Sequence, residues 1–123
     1  MKTPNKKNLR KQADELWRYS VIKKWGQYCT VCGKIGVDVH HFFPRHAYPR
    51  LRHEVNNGII TCRGCHFKHH FWGDPVIHQT IIKKRARAWY NKLEKISKQK
   101  FISGNTIEHY QKVIEKLKKI IIK

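Results

Sequence analysis

The chain has 123 residues, enough for one domain with a small core and helical additions. Lys plus Arg number 27 against 8 Asp plus Glu, a formal net charge of +19, so a polyanion is the expected partner, nucleic acid first and an anionic membrane surface second. With 40% apolar residues the chain is too hydrophobic for a disordered basic tail, and its longest purely aliphatic run, Ile120 to Ile122, excludes a transmembrane span. No apolar stretch follows the basic start, so no signal peptide is read, and a cytoplasmic, non-secreted protein is expected.

Residues 1–7 are polar and basic and are expected to fray. From Asn8, Leu9, Ala13, Leu16, Trp17 and Val21 fall on one helical face, and Gly26 ends the helix, giving an element over 8–25. Val37, Val39 and the residues after them read as a short strand. Residues 44–56 hold two prolines and no clean period and read as a loop. Gly58 to Thr61 suggest a second short strand, and a helix is expected to begin at Arg63. Asp74-Pro75 marks a helix start, and Ile77, Ile81, Trp89, Leu93 and Ile96 predict one helix running to about Lys98. Ser103-Gly104 punctuates, Asn105 with Glu108 reads as a capping box, and Ile107, Tyr110, Ile114, Leu117 and Ile121 mark a strongly amphipathic last helix. That helix is expected to dock on the first one; a dimer seam is the alternative, so monomer and homodimer both stay open. The organisation is a single domain over 1–123: a helix at 8–25, a middle at 29–73 and a basic extension of two amphipathic helices at 75–122.

The middle carries the chemistry. Cys29-x-x-Cys32 and Cys62-x-x-Cys65 each offer two thiolates at one edge of a tetrahedron, and two such turns close a zinc site with Zn–S distances of about 2.3 Å. Two disulfides are the alternative, but they require an oxidising compartment. A structural Zn2+ also suits the small core, because metal binding adds folding free energy directly.

Seven of the nine histidines lie between residues 40 and 70, where even spreading would put about two. On a helix, His66 and His70 share one face a turn apart, the spacing for holding one ion. The cysteines tie that helix near the first strand, which brings His40 and His41 close to His66. Adjacent strand residues point to opposite faces, so at a strand end one imidazole can bind metal while its neighbour deprotonates a water. A neutral imidazole suits that work near pH 7, and a divalent ion offsets phosphodiester charge. His46, His53 and His69 read as positive-patch residues or extra zinc ligands.

These residues resemble the HNH endonucleases, whose core is a ββα-metal fold. DVHHFFPR at 38–45 is similar to the family's acidic-x-His-His strand end, and NNGIITCRGCHFKHH at 56–70 to its Asn, Cys-x-x-Cys-His and His segment. The resemblance covers 29–73. It implies an α+β fold, a ββα-metal core stapled by a four-cysteine zinc site, and metal-dependent cutting of double-stranded DNA to 5′-phosphate and 3′-hydroxyl ends. By resemblance His41 is the general base, and His40, His66 and His70 hold one catalytic divalent ion. Asn57 holds the loop between the strands and helps orient the base, while Asp38 steadies an Arg or a ligand His. His69 beside His70 competes for the last ligand place, and Asn56 sits beside Asn57. Many relatives have Asp where His40 stands; three imidazoles leave Mg2+, Mn2+, Ni2+ and Zn2+ open. The family also implies the cytoplasm of a bacterium or phage-infected cell.

Arg45 and Arg50 are candidate clamps for the scissile phosphate, or generic backbone contacts. Lys83, Lys84, Arg85 and Arg87, with Trp89 and Tyr90, read either as a helix laid on DNA or as a solvated basic face whose aromatics pack inward. Two rivals remain beside the DNA endonuclease: a non-catalytic zinc-ribbon nucleic-acid-binding protein, and a ribonuclease or structure-specific nuclease acting on recombination intermediates.

Overall fold

The computed structural model describes residues 5–70, 72–99 and 105–122. Among these there are five α-helices and one two-stranded antiparallel sheet, an α+β arrangement. In chain order they are α1 (Lys6–Trp25), β1 (Asp38–His41), β2 (Gly58–Thr61), α2 (Arg63–His70), α3 (Pro75–Arg85), α4 (Arg87–Ser97) and α5 (Ile107–Ile122). No helix is long and apolar enough to cross a membrane.

The Asn5 side chain accepts from the Lys7 and Asn8 amides and starts α1 inside the stretch expected to fray; residues 1–4 lie outside the described residues. Gly26 ends it at φ +84°, a conformation that only glycine adopts cheaply, and donates its amide to Ile22. The hairpin pairs Asp38 with Thr61, Val39 with Ile60, His40 with Ile59 and His41 with Gly58. All four residues of β2 are buried, because both faces of the sheet are covered.

The period-two alternation divides the core. Ile59 joins Phe42, Phe43, Leu51, Ile81 and Leu93 under α3 and α4. Ile60 points the other way, into Trp17, Val21, Val55 and Leu117 between α1 and α5. The last helix therefore spends its apolar face on the first one within the same chain, and Lys23 Nζ on α1 donates to the Ile121 carbonyl.

Three further expectations need correction. The helix predicted to run unbroken from 75 to about 98 is two helices. Asp74 caps the first as expected, but the chain turns at Ala86, where φ is +98°. No breaker in KKRAR announces this. The turn lets Arg85 point inward, donating to the Gly58 carbonyl at 2.9 Å, while Trp89 Nε1 donates to the Asn56 carbonyl at 2.7 Å. At α5 the cap is Thr106, whose hydroxyl accepts from the His109 amide at 3.1 Å, while Asn105 accepts instead from the Tyr110 hydroxyl. The loop at 44–56 contains a 3-10 turn at Pro49–Leu51 and runs into another at Val55–Asn57. Ser103-Gly104 lies outside the described residues.

The seat of α1 on β2 is tight. A Cβ at Gly58 would stand 2.3 Å from Val21 Cγ2 and 2.7 Å from Cγ1. Gly58→Ala should therefore lower unfolding stability in urea by about 1–3 kcal/mol, and adding Val21→Ala should recover part of the loss. An unchanged midpoint for Gly58→Ala would contradict this packing.

Candidate metal and imidazole site

Cys29 and Cys32 lie on a knuckle between α1 and β1. It is closed by the Gly33 amide donating to the Cys29 carbonyl at 2.9 Å and the Cys29 amide to the Lys34 carbonyl at 2.6 Å. Cys62 and Cys65 lie at the start of α2. The four sulfurs fall within 4.8 Å of one another, compatible with a structural zinc site. Cys32 and Cys62 sulfurs are 3.7 Å apart, far beyond the S–S bond length of about 2.05 Å, so they are not joined by a disulfide. Burial raises the Cys29 thiol, but hydrogen bonds from the Cys32, Cys62 and Val31 backbone outweigh it and bring Cys29 down to about 7, whereas burial and the neighbouring Cys62 and Cys29 sulfurs push Cys65 up, so without a metal the four thiols share few charges.

This clamp sets α2 beside β1, and the histidines gather there around a cavity of about 410 Å³. His40, His41, His66 and His70 all line it. The loop adds Arg45 and His46, and α1 adds Asp14, Trp17 and Arg18. Sequence reasoning treated α1 as scaffold and missed these last three. Nothing local marks them, since their place depends on how α1 lies on the hairpin.

His40 and His41 diverge as strand neighbours must. His40 is buried on the α2 side, its ring stacked on His66 with centroids 4.3 Å apart. Its Nδ1 lies 3.4 Å from the Thr61 hydroxyl and its Nε2 3.3 Å from His69 Nδ1. Burial, reinforced by the neighbouring imidazoles, pushes it down to about 2. His41 lies on the α1 side. Its Nε2–H donates to the Arg52 carbonyl at 2.8 Å, and its ring stacks on Trp17 at 4.0 Å. Burial brings His41 down to about 4 despite the upward pull of that carbonyl, so the ring is neutral at pH 7.

Asp38 Oδ2 is 3.1 Å from His66 Nδ1, so the carboxylate engages that nitrogen and fixes the ring. His69 engages both nitrogens, with His78 Nδ1 3.2 Å from its Nε2, so His70 rather than His69 lines the cavity. Asn57 is fully buried. Its side chain accepts from the Phe43 amide at 2.8 Å and donates to the Phe43 and Leu51 carbonyls. These bonds hold the loop, so Asn57 bears on His41 by fixing the backbone next to Arg52. It holds that backbone from behind and does not itself line the cavity.

The basic candidates separate. Arg45 lines the cavity, whereas Arg50 borders a different one with His53 and His109, which removes it from the imidazole site. Lys83, Lys84 and Arg87 are exposed on α3 and α4, outside the imidazole cavity. Arg85 is withdrawn from phosphate contact: its guanidinium lies 3.7 Å from the Trp25 ring centroid, and burial lowers it to about 10.

For a second ion the donors fit unevenly. Among the described residues, the four sulfurs are the one group of three or more Cys, His, Asp or Glu donors drawn within 4.8 Å. His66, beside Asp38, and His70, a turn along α2, line the cavity without forming such a group. His40 joins them only by releasing Thr61 or His69.

Comparison with family models, curated proteins and solved structures gives no match.

A zinc held by these four sulfurs would be structural, and its removal should unfold the middle of the chain. Cys62→Ala is expected to lose bound zinc and cooperative melting by circular dichroism, and strong chelation of the wild type to do the same. A zinc-free Cys62→Ala chain that still melts cooperatively near the wild-type temperature would contradict a structural role.

Proposed function

We propose that the chain is a metal-dependent DNA endonuclease whose β1–β2–α2 unit is a ββα-metal core of the HNH type. One observation carries this reading: His41, neutral and fixed through Nε2, shares a cavity with His40, His66 and His70. Because Nε2–H is spent on the Arg52 carbonyl, Nδ1 keeps the lone pair. Nδ1 takes the proton from a water, the water oxygen attacks phosphorus, and the P–O3′ bond breaks with its electron pair going to O3′, which takes a proton from a solvent water, leaving 5′-phosphate and 3′-hydroxyl ends. Arg45, exposed at the cavity, pairs with a non-bridging phosphate oxygen. A divalent ion held by His66, His70 and a released His40 would supply charge neutralisation at the phosphate and the leaving oxygen. The net charge of +19 supplies the attraction to a phosphate backbone.

A non-catalytic zinc-stapled nucleic-acid-binding module is the second reading. It is favoured by the engagement of both His40 nitrogens. Supercoiled plasmid separates the two. Wild type should cut it in at least one of Mg2+, Mn2+, Ni2+ or Zn2+ and not in EDTA. His41→Ala should lose about 10²–10⁴-fold in rate while keeping its fold and its DNA binding. Plasmid intact in every metal would leave only the binding module, and equal cutting by His41→Ala would remove His41 as the base.

A further inference from the structure

We propose that α1 is part of the working site, with Asp14 and Trp17 as positioning residues that hold the His41 ring in one orientation and one tautomer. Their kinetic consequence rests on the nuclease reading, but the geometry stands independently of it.

Three consecutive loop residues are tied to this one helix. The Asp14 carboxylate accepts from Arg52 Nε at 3.0 Å and from Arg52 Nη2 at 2.8 Å, a two-pronged pair. The same carboxylate is 2.7 Å from His53 Nε2. Trp17 Nε1 donates to the Glu54 carbonyl at 2.8 Å. Asp14 and Trp17 are three residues apart, so they share a face of α1 and grip the loop together.

That loop segment carries the group that orients the base. The carbonyl receiving His41 Nε2–H belongs to Arg52, whose side chain Asp14 holds. The opposite constraint comes from Trp17 itself, which is 4% exposed and lies parallel to the His41 ring, with an interplanar angle of 2°. One α1 residue thus fixes the plane of the ring, and the other fixes the acceptor in that plane.

The two neutral tautomers of an unrestrained imidazole interconvert freely. The Arg52 carbonyl selects the Nε2–H form and leaves Nδ1 as the base. If the carbonyl moves, the wrong nitrogen is protonated in part of the population and the ring turns on its stack. Burial would raise the Asp14 carboxyl, but the His53 and Arg52 hydrogen bonds hold it well below the usual range, so the clamp is charged at neutral pH. The pair is two-pronged and shared with His53, so its removal also costs some stability, and the His41 tautomer is the readout that reports on positioning alone.

The test uses the full chain, zinc-loaded, with Asp14→Asn, Trp17→Leu and Trp17→Phe. Two readouts are needed: single-turnover cleavage of a short DNA duplex, and the imidazole ¹⁵N spectrum that distinguishes His tautomers. Asp14→Asn should cut about 10–100-fold more slowly at a temperature where it remains folded, with substrate affinity within about twofold and a lowered melting temperature. Its His41 signal should shift from Nε2–H toward a mixture. Trp17→Leu should lose rate similarly, and Trp17→Phe, which keeps an aromatic face, should recover most of it. Folded Asp14→Asn with wild-type rate and wild-type His41 tautomer would overturn the proposal. If Trp17→Leu does not fold, Trp17→Phe and Asp14→Asn still decide. If the wild type cuts nothing, the nuclease reading fails by itself. The spectrum then judges the positioning claim alone: a shifted His41 tautomer in Asp14→Asn supports it and an unshifted one refutes it.

Discussion

Four sulfur atoms drawn within 4.8 Å of one another are the constraint on which the rest of the molecule depends. They join the knuckle after α1 to the first turn of α2. Without them nothing covalent or metallic fixes the short α2 against β1, and α2 itself buries no residue fully. Eight residues of helix with no buried face have little stability of their own. The sulfur cluster replaces a hydrophobic interface there, and it leaves the helix surface free to carry His66 and His70 rather than apolar side chains.

The second constraint is the thinness of the sheet. Both strands are edges of this two-stranded sheet, but every β2 residue is buried, whereas on β1 only His40 is and Asp38, Val39 and His41 stay partly exposed. Because alternate residues face opposite ways, His40 belongs to the imidazole group under α2 and His41 to the side facing Trp17. The pair therefore works in two environments although it is adjacent in the chain. His40 sits among other imidazoles, where protonation is heavily disfavoured. His41 sits against an indole with one nitrogen assigned to a carbonyl.

Much of this was legible because the signals were local. The two Cys-x-x-Cys turns, the Gly58–Thr61 strand, the Asp74-Pro75 start and the His66/His70 spacing each act within one turn or one strand. The docking of the last helix on the first followed from the strong apolar face of α5 and the narrower Leu16, Trp17 and Val21 stripe of α1. Other features were not legible because they depend on distant partners. The turn at Ala86 has no glycine or proline to announce it, and it is favoured by where Arg85 and Trp89 land on the Gly58 and Asn56 carbonyls. Thr106 displaced Asn105 as the cap because Asn105 had the Tyr110 hydroxyl to satisfy. Asp14 and Trp17 looked like ordinary helix residues, and only the path of the 44–56 loop under α1 gives them a role at His41.

The sulfur group and the imidazole-lined cavity are thus distinct places in the fold, and the proposed function needs them to stay so. X-ray absorption at the zinc K-edge of the full chain, carrying one zinc, tests that separation most directly. It should show four sulfur neighbours at about 2.3 Å and no nitrogen. Nitrogen in the zinc coordination shell would mean that a histidine is drawn onto the scaffold metal, and the division of labour argued for the cavity would be wrong.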